Sequence, residues 1–353
     1  MSDALLRVTA ELPGSGGRLT AAPEDFQVSE LLPYAPSGEG EHLFIYFEKR
    51  DLTTPEAARR IASALGKVDG RGQPLPEVGF AGMKDRHAIA RQWLSVPWPI
   101  KAGEVPTLSL DGITVLTTVR HGHKLRRGHQ RGNRFRITLR DVPSGGLEKA
   151  LVVAERLRTI GVPNYYGPQR FGKEGDNAVR ALAFLRNEAP APRDRRLRDL
   201  LVSSLQSEIF NRILTLRISR GLYNQALRGD VMQKHETGGM FVSTDPSVDQ
   251  ARVERLEISP TGVLPGKKAK ATEADAAALE AEVLSGLGFD PSIIDRYADG
   301  TRRVLRQPLD PELHLSPIED GLVLEVSLPS GSYATVLLDE LVKPEGARFD
   351  RSE

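Results

Sequence analysis

Alternation of apolar and polar residues predicts strands in two well-separated parts of the chain. In residues 133–142 the apolar side chains fall at Phe135, Ile137 and Leu139, with mainly basic side chains between them. Residues 322–328 show the same period of two. Because successive side chains of a strand point to opposite faces, both segments are predicted to be half-buried strands. Residues 42–47 are apolar almost throughout, which indicates a strand buried on both faces.

Helical spacing and helix-end signals predict the other main elements. The first predicted helix has Thr54 as its N-cap and Pro55 in its first turn, and it ends at Gly66. Thr272 and Asp275 have the spacing of a capping box before a later helix. The remaining segments with helical apolar spacing are residues 147–160, 176–187, 197–220 and 333–342.

The mixture of elements changes twice along the chain. Strands and helices alternate over residues 1–157, residues 158–308 are helix-rich with a Gly-rich middle, and strand and helix return after residue 308. A core of residues 1–157 and 309–353, split by a domain inserted at 158–308, would produce this order. Two sequential domains are the alternative, and the length of 353 residues is consistent with either.

Composition excludes several classes of protein. The chain has no Cys, which excludes disulfides, thiol nucleophiles, Cys-ligated zinc and Fe–S clusters. No apolar run approaches the roughly 18 residues of a membrane span. The first twelve residues, MSDALLRVTAEL, lack the pattern of a secretory signal. We therefore expect a cytoplasmic protein with no membrane association.

Basic residues are concentrated in one segment, although the formal net charge is only +1. Residues 112–140 contain eight Lys and Arg residues and no Asp or Glu after Gly112. A Gly-containing basic loop that runs into a strand is suited to follow a phosphate backbone, whereas the alternative is a solvated charged face. His121 and His123 have no nearby carboxylate in sequence to complete a metal shell, so no metal is expected. The predicted phosphate contacts are Lys84, Arg120, Lys124, Arg126, Arg127 and Arg131.

Two further motifs contain residues suited to chemistry. In residues 79–88 (GFAGMKDRHA) a Gly-x-x-Gly bend precedes Asp85, whose neighbours Lys84 and Arg86 would keep its carboxylate ionised, as a nucleophile requires. A surface turn with an ion pair would have the same spacing. Residues 164–172 (NYYGPQRFG) combine aromatic faces with hydrogen-bond donors and suit an unstacked base, or equally a packed turn. Phosphate-loop, serine-hydrolase and zinc-protease motifs are absent from the sequence.

Six segments together resemble the tRNA pseudouridine synthase D (TruD) family, and they span nearly the whole chain in family order. They are PEDFQVSE (23–30), GEGEHLFIYFEKR (38–50), GFAGMKDRHAIARQW (79–93), KLRRGHQRGNRFRITLR (124–140), NYYGPQRFG (164–172) and LPSGSYATVLLDEL (328–341). The resemblance implies an α+β, mixed α/β fold. Its pseudouridine-synthase core has a mixed, largely antiparallel sheet flanked by helices and is interrupted at residues 158–308 by the family's inserted α/β domain.

The resemblance also implies an activity and a set of site residues. It implies isomerisation of uridine to pseudouridine in tRNA, typically at position 13, by a monomer that uses no cofactor or metal. Asp85 matches the catalytic Asp of the family, and the uridine pocket is implied to contain Phe26, Asn133, Phe135 and Tyr333. Bacterial relatives often have Phe where this chain has Tyr333.

Three questions stay open at the level of sequence. Thr20 stands where some relatives have a basic residue, which leaves the cationic partner of Asp85 unassigned. Asp85 is a candidate to attack the sugar, to attack the ring or to remove a sugar proton. Two rival functions are a non-catalytic RNA-binding protein and a hydrolase with a carboxylate nucleophile, although Asp85 lacks the acidic neighbour that such hydrolases need.

Overall fold

The computed structural model describes residues 5–20, 22–99 and 109–344. By its internal contacts the chain divides into two compact units. The sheet unit comprises residues 17–143 and 312–331, and the helical unit comprises residues 1–16, 144–311 and 332–353. The division into a catalytic core of 1–157 and 309–353 and an inserted domain of 158–308 stays a prediction.

The secondary structure follows the order expected from the sequence. The strands are β1 (Arg18–Leu19), β2 (Phe26–Leu31), β3 (His42–Lys49), β4 (Gly79–Phe80), β5 (Ile89–Pro97), β6 (Ser109–Leu110), β7 (Ile113–His121), β8 (Gly132–Arg140), β9 (Val162–Pro163), β10 (Val231–Lys234), β11 (Met240–Val242), β12 (Ile258–Leu264), β13 (Thr301–Val304), β14 (Arg306–Gln307), β15 (His314–Ile318) and β16 (Gly321–Pro329). The α-helices are α1 (Thr54–Ala64), α2 (Gly146–Ile160), α3 (Asn177–Leu185), α4 (Arg195–Ser219), α5 (Pro246–Glu254), α6 (Ala274–Ser285) and α7 (Ala334–Val342). Short 3-10 helices occupy Pro23–Asp25, Pro168–Phe171 and Pro291–Arg296.

The sheet unit is built on one large mixed sheet. Among the described residues its strand order is β15-β16-β8-β2-β5-β3-β7-β6, with β1 beside β8 and β4 beside β5. The pair β2 and β5 is parallel, and the other pairs in the described part of this sheet are antiparallel. Together with the helices of the chain, this arrangement confirms the predicted α+β class with a mixed, largely antiparallel sheet.

The two segments with period-two alternation pair with each other. In the antiparallel register of β8 and β16, Phe135 is opposite Val326 and Ile137 is opposite Leu324. Matching the apolar positions of both strands buries one face of the ribbon, whereas the intervening arginines of β8 stay exposed or half-buried. The hydrophobic pattern therefore determines which face of β8 is buried.

The N-cap of α1 is Thr53 rather than the predicted Thr54. Glu56 donates its backbone N–H to the Thr53 hydroxyl at 3.3 Å, and the Glu56 carboxylate accepts from the Thr53 backbone N–H at 2.7 Å. The Thr54 side chain is instead buried, where its hydroxyl donates to Gln92 Oε1 at 3.1 Å and accepts from the Lys84 backbone N–H at 2.9 Å. Thr54 is therefore a tertiary anchor for the segment that contains Asp85.

The helical unit has its core around α4. Described residues of this unit form a four-stranded sheet in the order β11-β10-β12-β13 and a short β14–β9 pair. Leu205, Ile209 and Ile213 of α4 are buried among apolar side chains of α3, α6 and β12. In the described residues, no helix is long and apolar enough to cross a membrane.

The predicted capping box before α6 is wrong. The helix has Glu273 at its N-cap position, and no side chain caps it. The Thr272 hydroxyl donates instead to Glu280 Oε2 at 2.8 Å, and Arg302 also pairs with the Glu280 carboxylate. Because Glu280 is only 7 % exposed, its carboxylate needs these donors, and Thr272 supplies one of them.

Candidate active site

The segment that leads to Asp85 is anchored through Lys84. The Lys84 ammonium group donates to Glu30 Oε2 at 2.7 Å and to Gln130 Oε1 at 2.9 Å. The Lys84 side chain is 3 % exposed, so the ion pair with Glu30 is buried. The prediction that Lys84 contacts an RNA phosphate is therefore wrong, because its ammonium group is turned into the protein. Together with the Thr54 contact, this pair holds the backbone that presents Asp85.

Asp85 is half-buried and has a defined orientation. Its carboxylate Oδ1 accepts a hydrogen bond from the backbone N–H of His87 at 3.0 Å. Its backbone carbonyl accepts a hydrogen bond from Lys49 Nζ at 2.5 Å. The carboxylate is thus fixed by its own turn while it keeps partial access to solvent. An oriented, partly exposed carboxylate is the geometry that a nucleophile or base requires.

Lys49 brings a positive charge near Asp85, whereas the two basic sequence neighbours of Asp85 contact other acidic side chains. Lys84 is paired with Glu30, and Arg86 lies 3.7 Å from the Glu56 carboxylate. Lys49 ends β3 with no exposed surface, and its ammonium group donates to the Asp85 backbone carbonyl. Burial lowers the pKa of Lys49 to about 8, against the opposing influence of the Asp85 charge.

Two aromatic rings lie side by side on adjacent strands of the sheet unit. Phe26 on β2 and Phe135 on β8 have ring centroids 5.8 Å apart in an edge-to-face arrangement. The antiparallel register of the two strands, in which Val28 is opposite Phe135, brings these rings together. The sequence resemblance assigns both rings to the uridine pocket, and the structure places them in contact.

Asn133 is two residues before Phe135 on β8 and therefore projects from the same face of the strand. Its side-chain Oδ1 is buried and has no hydrogen-bond partner among the described residues. Leaving a buried acceptor without a partner costs about 1–3 kcal/mol, so this oxygen is suited to accept a hydrogen bond from a bound molecule. A donor on a bound base would satisfy it.

Tyr333 belongs to the helical unit, where it precedes α7. Its ring centroid lies 6.0 Å from that of Tyr166, and the Arg303 guanidinium covers the Tyr166 ring at 4.2 Å. Burial raises the pKa of Tyr333, whereas the positive charges of Arg170 and Arg303 oppose that rise. The NYYGPQRFG motif therefore packs around Tyr333. A role of Tyr333 in stacking on the target base stays a prediction.

Among the arginines between β7 and the end of β8, some have acidic partners within the described residues and others do not. Arg126, Arg127 and Arg131 are exposed, and within the described part of the chain no carboxylate lies within 4.0 Å of any of them. By contrast, Arg136 lies 3.7 Å from Glu325, and Arg140 pairs with Asp25 at 2.7 Å. Uncompensated charge is thus concentrated in the loop between β7 and β8, which we call the basic loop (residues 122–131).

The remaining predicted phosphate contacts are Arg120, at the end of β7, and Lys124, in the basic loop, and both already make hydrogen bonds within the protein. Arg120 donates to the Gly40 carbonyl at 2.6 Å and 3.0 Å, and its guanidinium lies 5.1 Å from the Trp98 ring centroid. Lys124 donates to the Pro76 carbonyl. Both contacts are to neutral groups, so the two side chains keep their positive charges available to a polyanion.

Comparison with known proteins places the chain in a family. The family model for tRNA pseudouridine synthase D (TruD) matches residues 5–189 and 185–341. The chain belongs to this family. It is similar to tRNA pseudouridine synthase D of Anaeromyxobacter sp. strain Fw109-5, with 46 % identity over 352 residues that cover 97 % of each chain. A protein of the same name from Thermus thermophilus is 43 % identical over 338 residues, covering 96 % of this chain and 92 % of that one.

A solved structure supports the same fold. A crystal structure of a Methanosarcina mazei protein, described there as a putative tRNA pseudouridine synthase D (TruD), superposes with a TM-score of 0.71. The superposition covers 96 % of both chains at 24 % sequence identity. At this identity the similarity concerns the fold of the TruD family.

Thr20, which stands where some relatives have a basic residue, lies beside Asp25. The Thr20 hydroxyl donates to the Asp25 carboxylate, which Arg140 also binds. Burial would raise the pKa of Asp25, but the hydrogen bonds from Arg140 and Thr20 outweigh it and lower that pKa. Lys49, which the sequence motifs do not single out, donates to the Asp85 backbone carbonyl. The sequence does contain one indication that Lys49 is buried, because Lys49 lies on the same face of β3 as Ile45 and Phe47.

Proposed function

We propose that this protein isomerises uridine to pseudouridine in tRNA, with position 13 as the target and Asp85 as the catalytic carboxylate. The observation that carries the proposal is the oriented Asp85, which is held by its own turn and accompanied by the buried cation Lys49. The relatives named tRNA pseudouridine synthase D match this chain over nearly its whole length, which supports the same activity here. We infer that the protein works on its substrate without a metal or cofactor.

The reaction has modest requirements that these residues meet. The N-glycosidic bond between C1′ and N1 of uracil breaks, and a bond between C1′ and C5 forms. C5 loses its proton and N1 gains one, so substrate and product are isomers with no redox change and no net water. Asp85 either forms a covalent adduct at the sugar or the ring, or removes a sugar proton. In each case a carboxylate oxygen is the reacting atom, and the hydrogen bond from the His87 backbone N–H orients that carboxylate.

Recognition of uracil is assigned to the pair of Asn133 and Phe135. The N3–H of uracil is a donor that the unpartnered Asn133 Oδ1 can accept, whereas N3 of cytosine is an acceptor and cannot serve. Phe135 and Phe26 supply aromatic surface against which a base can pack. To reach them the uridine must leave its stack, and the site must exclude water from any reactive intermediate.

An experiment on unmodified tRNA tests the proposal against both rival functions. The protein is incubated with transcribed tRNA, and pseudouridine is located by carbodiimide labelling and primer extension. A second transcript with cytidine in place of the uridine at position 13 tests the position. Labelling of the first transcript alone is expected. Release of free uracil would indicate a hydrolase instead, and tight binding without labelling would indicate a non-catalytic RNA-binding protein.

The basic loop should supply most of the affinity for tRNA. Replacing both Arg126 and Arg127 with Ala should weaken binding, because two phosphate contacts are lost. Each lost contact should also reduce the slope of log K against log salt by about one unit. Binding is measured by filter retention between roughly 50 and 200 mM KCl, where affinities that depend on phosphate contacts change by powers of ten. Arg255→Ala is the control, since Arg255 is exposed but paired with Glu257 at 2.7 Å. An unchanged salt slope in the double variant would move the RNA surface elsewhere.

Tyr333→Phe should keep most of the activity, because it retains the ring face. Tyr333→Ala should lose about 5- to 150-fold in rate, the range expected when one aromatic stacking contact with a base is removed. Single-turnover rates of pseudouridine formation at saturating protein give the comparison. If Phe is as damaging as Ala, the hydroxyl has a chemical role and the stacking proposal is wrong.

A further inference from the structure

Met83 exposes a large apolar side chain next to the proposed catalytic residue. Its exposed fraction is 59 %, and it lies two positions before Asp85. In this segment Met83 is exposed, Lys84 is buried and Asp85 is half-buried. Lys84 turns inward to Glu30, so the exposed Met83 stands between anchored neighbours, two residues before Asp85. A side chain with this exposure contributes little to the packing of the protein itself.

The backbone that carries Met83 is held firmly on both sides. The carbonyl of Ala81 accepts from the Gly128 backbone N–H at 2.9 Å. Gly82 lies so close to Gln130 that a Cβ atom at position 82 would be 2.5 Å from its Oε1. On the other side, Lys84 is anchored through both its backbone and its ammonium group. Met83 is therefore an exposed apolar side chain on a well-anchored support.

We propose that Met83 inserts into the space that the target uridine leaves in the RNA stack, and so stabilises the flipped-out state. The proposal rests on the proposed function, since the wedge assists an enzyme that must bring a stacked base out of its stack. Unstacking a base costs a few kcal/mol, and proteins that distort nucleic acids offset this cost with apolar side chains placed between bases. The unbranched, polarisable Met side chain adapts well to such a gap.

Two substrates distinguish a wedge from a residue that merely shapes the site. The first is intact tRNA, and the second is the same tRNA with an abasic residue beside the target uridine, where little stacking has to be broken. In single-turnover assays Met83→Ala should be about 5- to 30-fold slower than the parent on intact tRNA, and within about threefold of it on the abasic tRNA. Met83→Leu should stay close to the parent on both.

A fluorescent reporter measures flipping without chemistry. With 2-aminopurine next to the target uridine, binding of the Asp85→Asn protein should raise the fluorescence as stacking is lost. The double variant Asp85→Asn with Met83→Ala should produce a clearly smaller rise at saturating protein. Val248→Ala is the matched control, because Val248 is a 68 % exposed apolar side chain in the helical unit and its loss should change neither readout.

The outcomes separate the wedge from the proposed function. If the parent protein forms no pseudouridine in intact tRNA, the proposed function fails. If the parent is active but Met83→Ala slows both substrates equally, or leaves both unchanged, the wedge proposal is overturned while the function stands. The parent and the variant are expected to have equal melting temperatures, because the Met83 side chain is exposed. Equal values exclude a folding defect as the cause of a slower rate.

Discussion

Asp85→Asn should abolish pseudouridine formation and leave a folded protein that binds tRNA with nearly the parent affinity. The substitution preserves the shape and the turn, since an Asn oxygen can still accept from the His87 backbone N–H that Asp85 binds at 3.0 Å. It removes the negative charge, and loss of a nucleophile or catalytic base costs several powers of ten in rate. Affinity should survive because phosphate contacts and base stacking do not depend on this carboxylate.

Asp290 is the control for this prediction, because its carboxylate makes the same local hydrogen bond in another part of the chain. Asp290 accepts from the backbone N–H of Ser292 at 2.9 Å, the same two-residue turn that Asp85 makes, but it lies in the helical unit before a short 3-10 helix. Asp290→Asn should have the parent rate. Pseudouridine is quantified after incubation of tRNA with each folded variant. Turnover by Asp85→Asn within about tenfold of the parent would reduce Asp85 to a structural turn residue.

Lys49→Met should slow the reaction and at the same time leave the protein at least as stable at pH 7. Lys49 Nζ holds the Asp85 backbone carbonyl at 2.5 Å, so loss of this contact should misplace the carboxylate and reduce the single-turnover rate by on the order of 10- to 100-fold. Burial lowers the pKa of Lys49 from 10.5 to about 8, which corresponds to a desolvation cost of roughly 3 kcal/mol. Met fills similar space without that cost, which offsets the lost hydrogen bond to Asp85.

The lowered pKa of Lys49 predicts how both the stability and the activity of the protein depend on pH. Between about pH 8 and 10.5 the unfolded chain holds the Lys49 proton that the folded protein has released, so this residue makes stability rise with pH across that window. Activity should move the opposite way, falling above about pH 8 as Lys49 loses its charge. The charged groups that act on Lys49 are Asp85, Lys84, Asp51 and Arg86.

The single-turnover rate and the free energy of unfolding are therefore both measured as the pH is raised through the pKa of Lys49. The parent and Lys49→Met are compared. The falling limb of the rate near pH 8 should be present in the parent and absent in the variant. A variant that is less stable and equally active would show that Lys49 is a structural residue. tRNA affinity determined at each pH separates loss of binding from loss of chemistry.

Local patterns in the sequence predict the main elements well. The period-two segments became β8 and β16, and the segment at 147–160 became α2, Gly146–Ile160. These predictions succeed because alternation and helical spacing depend on neighbours along the chain. The predicted N-cap of α1 fails for the complementary reason. Thr53 and Thr54 are equivalent locally, and the tertiary contacts of Thr54 with Gln92 and Lys84 leave Thr53 as the cap.

For the site, sequence motifs suffice to name the candidate residues, whereas the groups that contact them are known only from the folded structure. The motifs identified Asp85, Asn133 and Phe135, because family motifs are continuous stretches of chain. The partners of the charged side chains are distant in sequence: Lys84 pairs with Glu30, 54 residues away, and Lys49 reaches Asp85 from 36 residues away. An ion pair or a buried lysine depends on separation in space and on exclusion of water. Both arise only when distant strands pack, which is why a lysine predicted to bind RNA is buried and an unnoticed lysine lies beside the proposed catalytic residue.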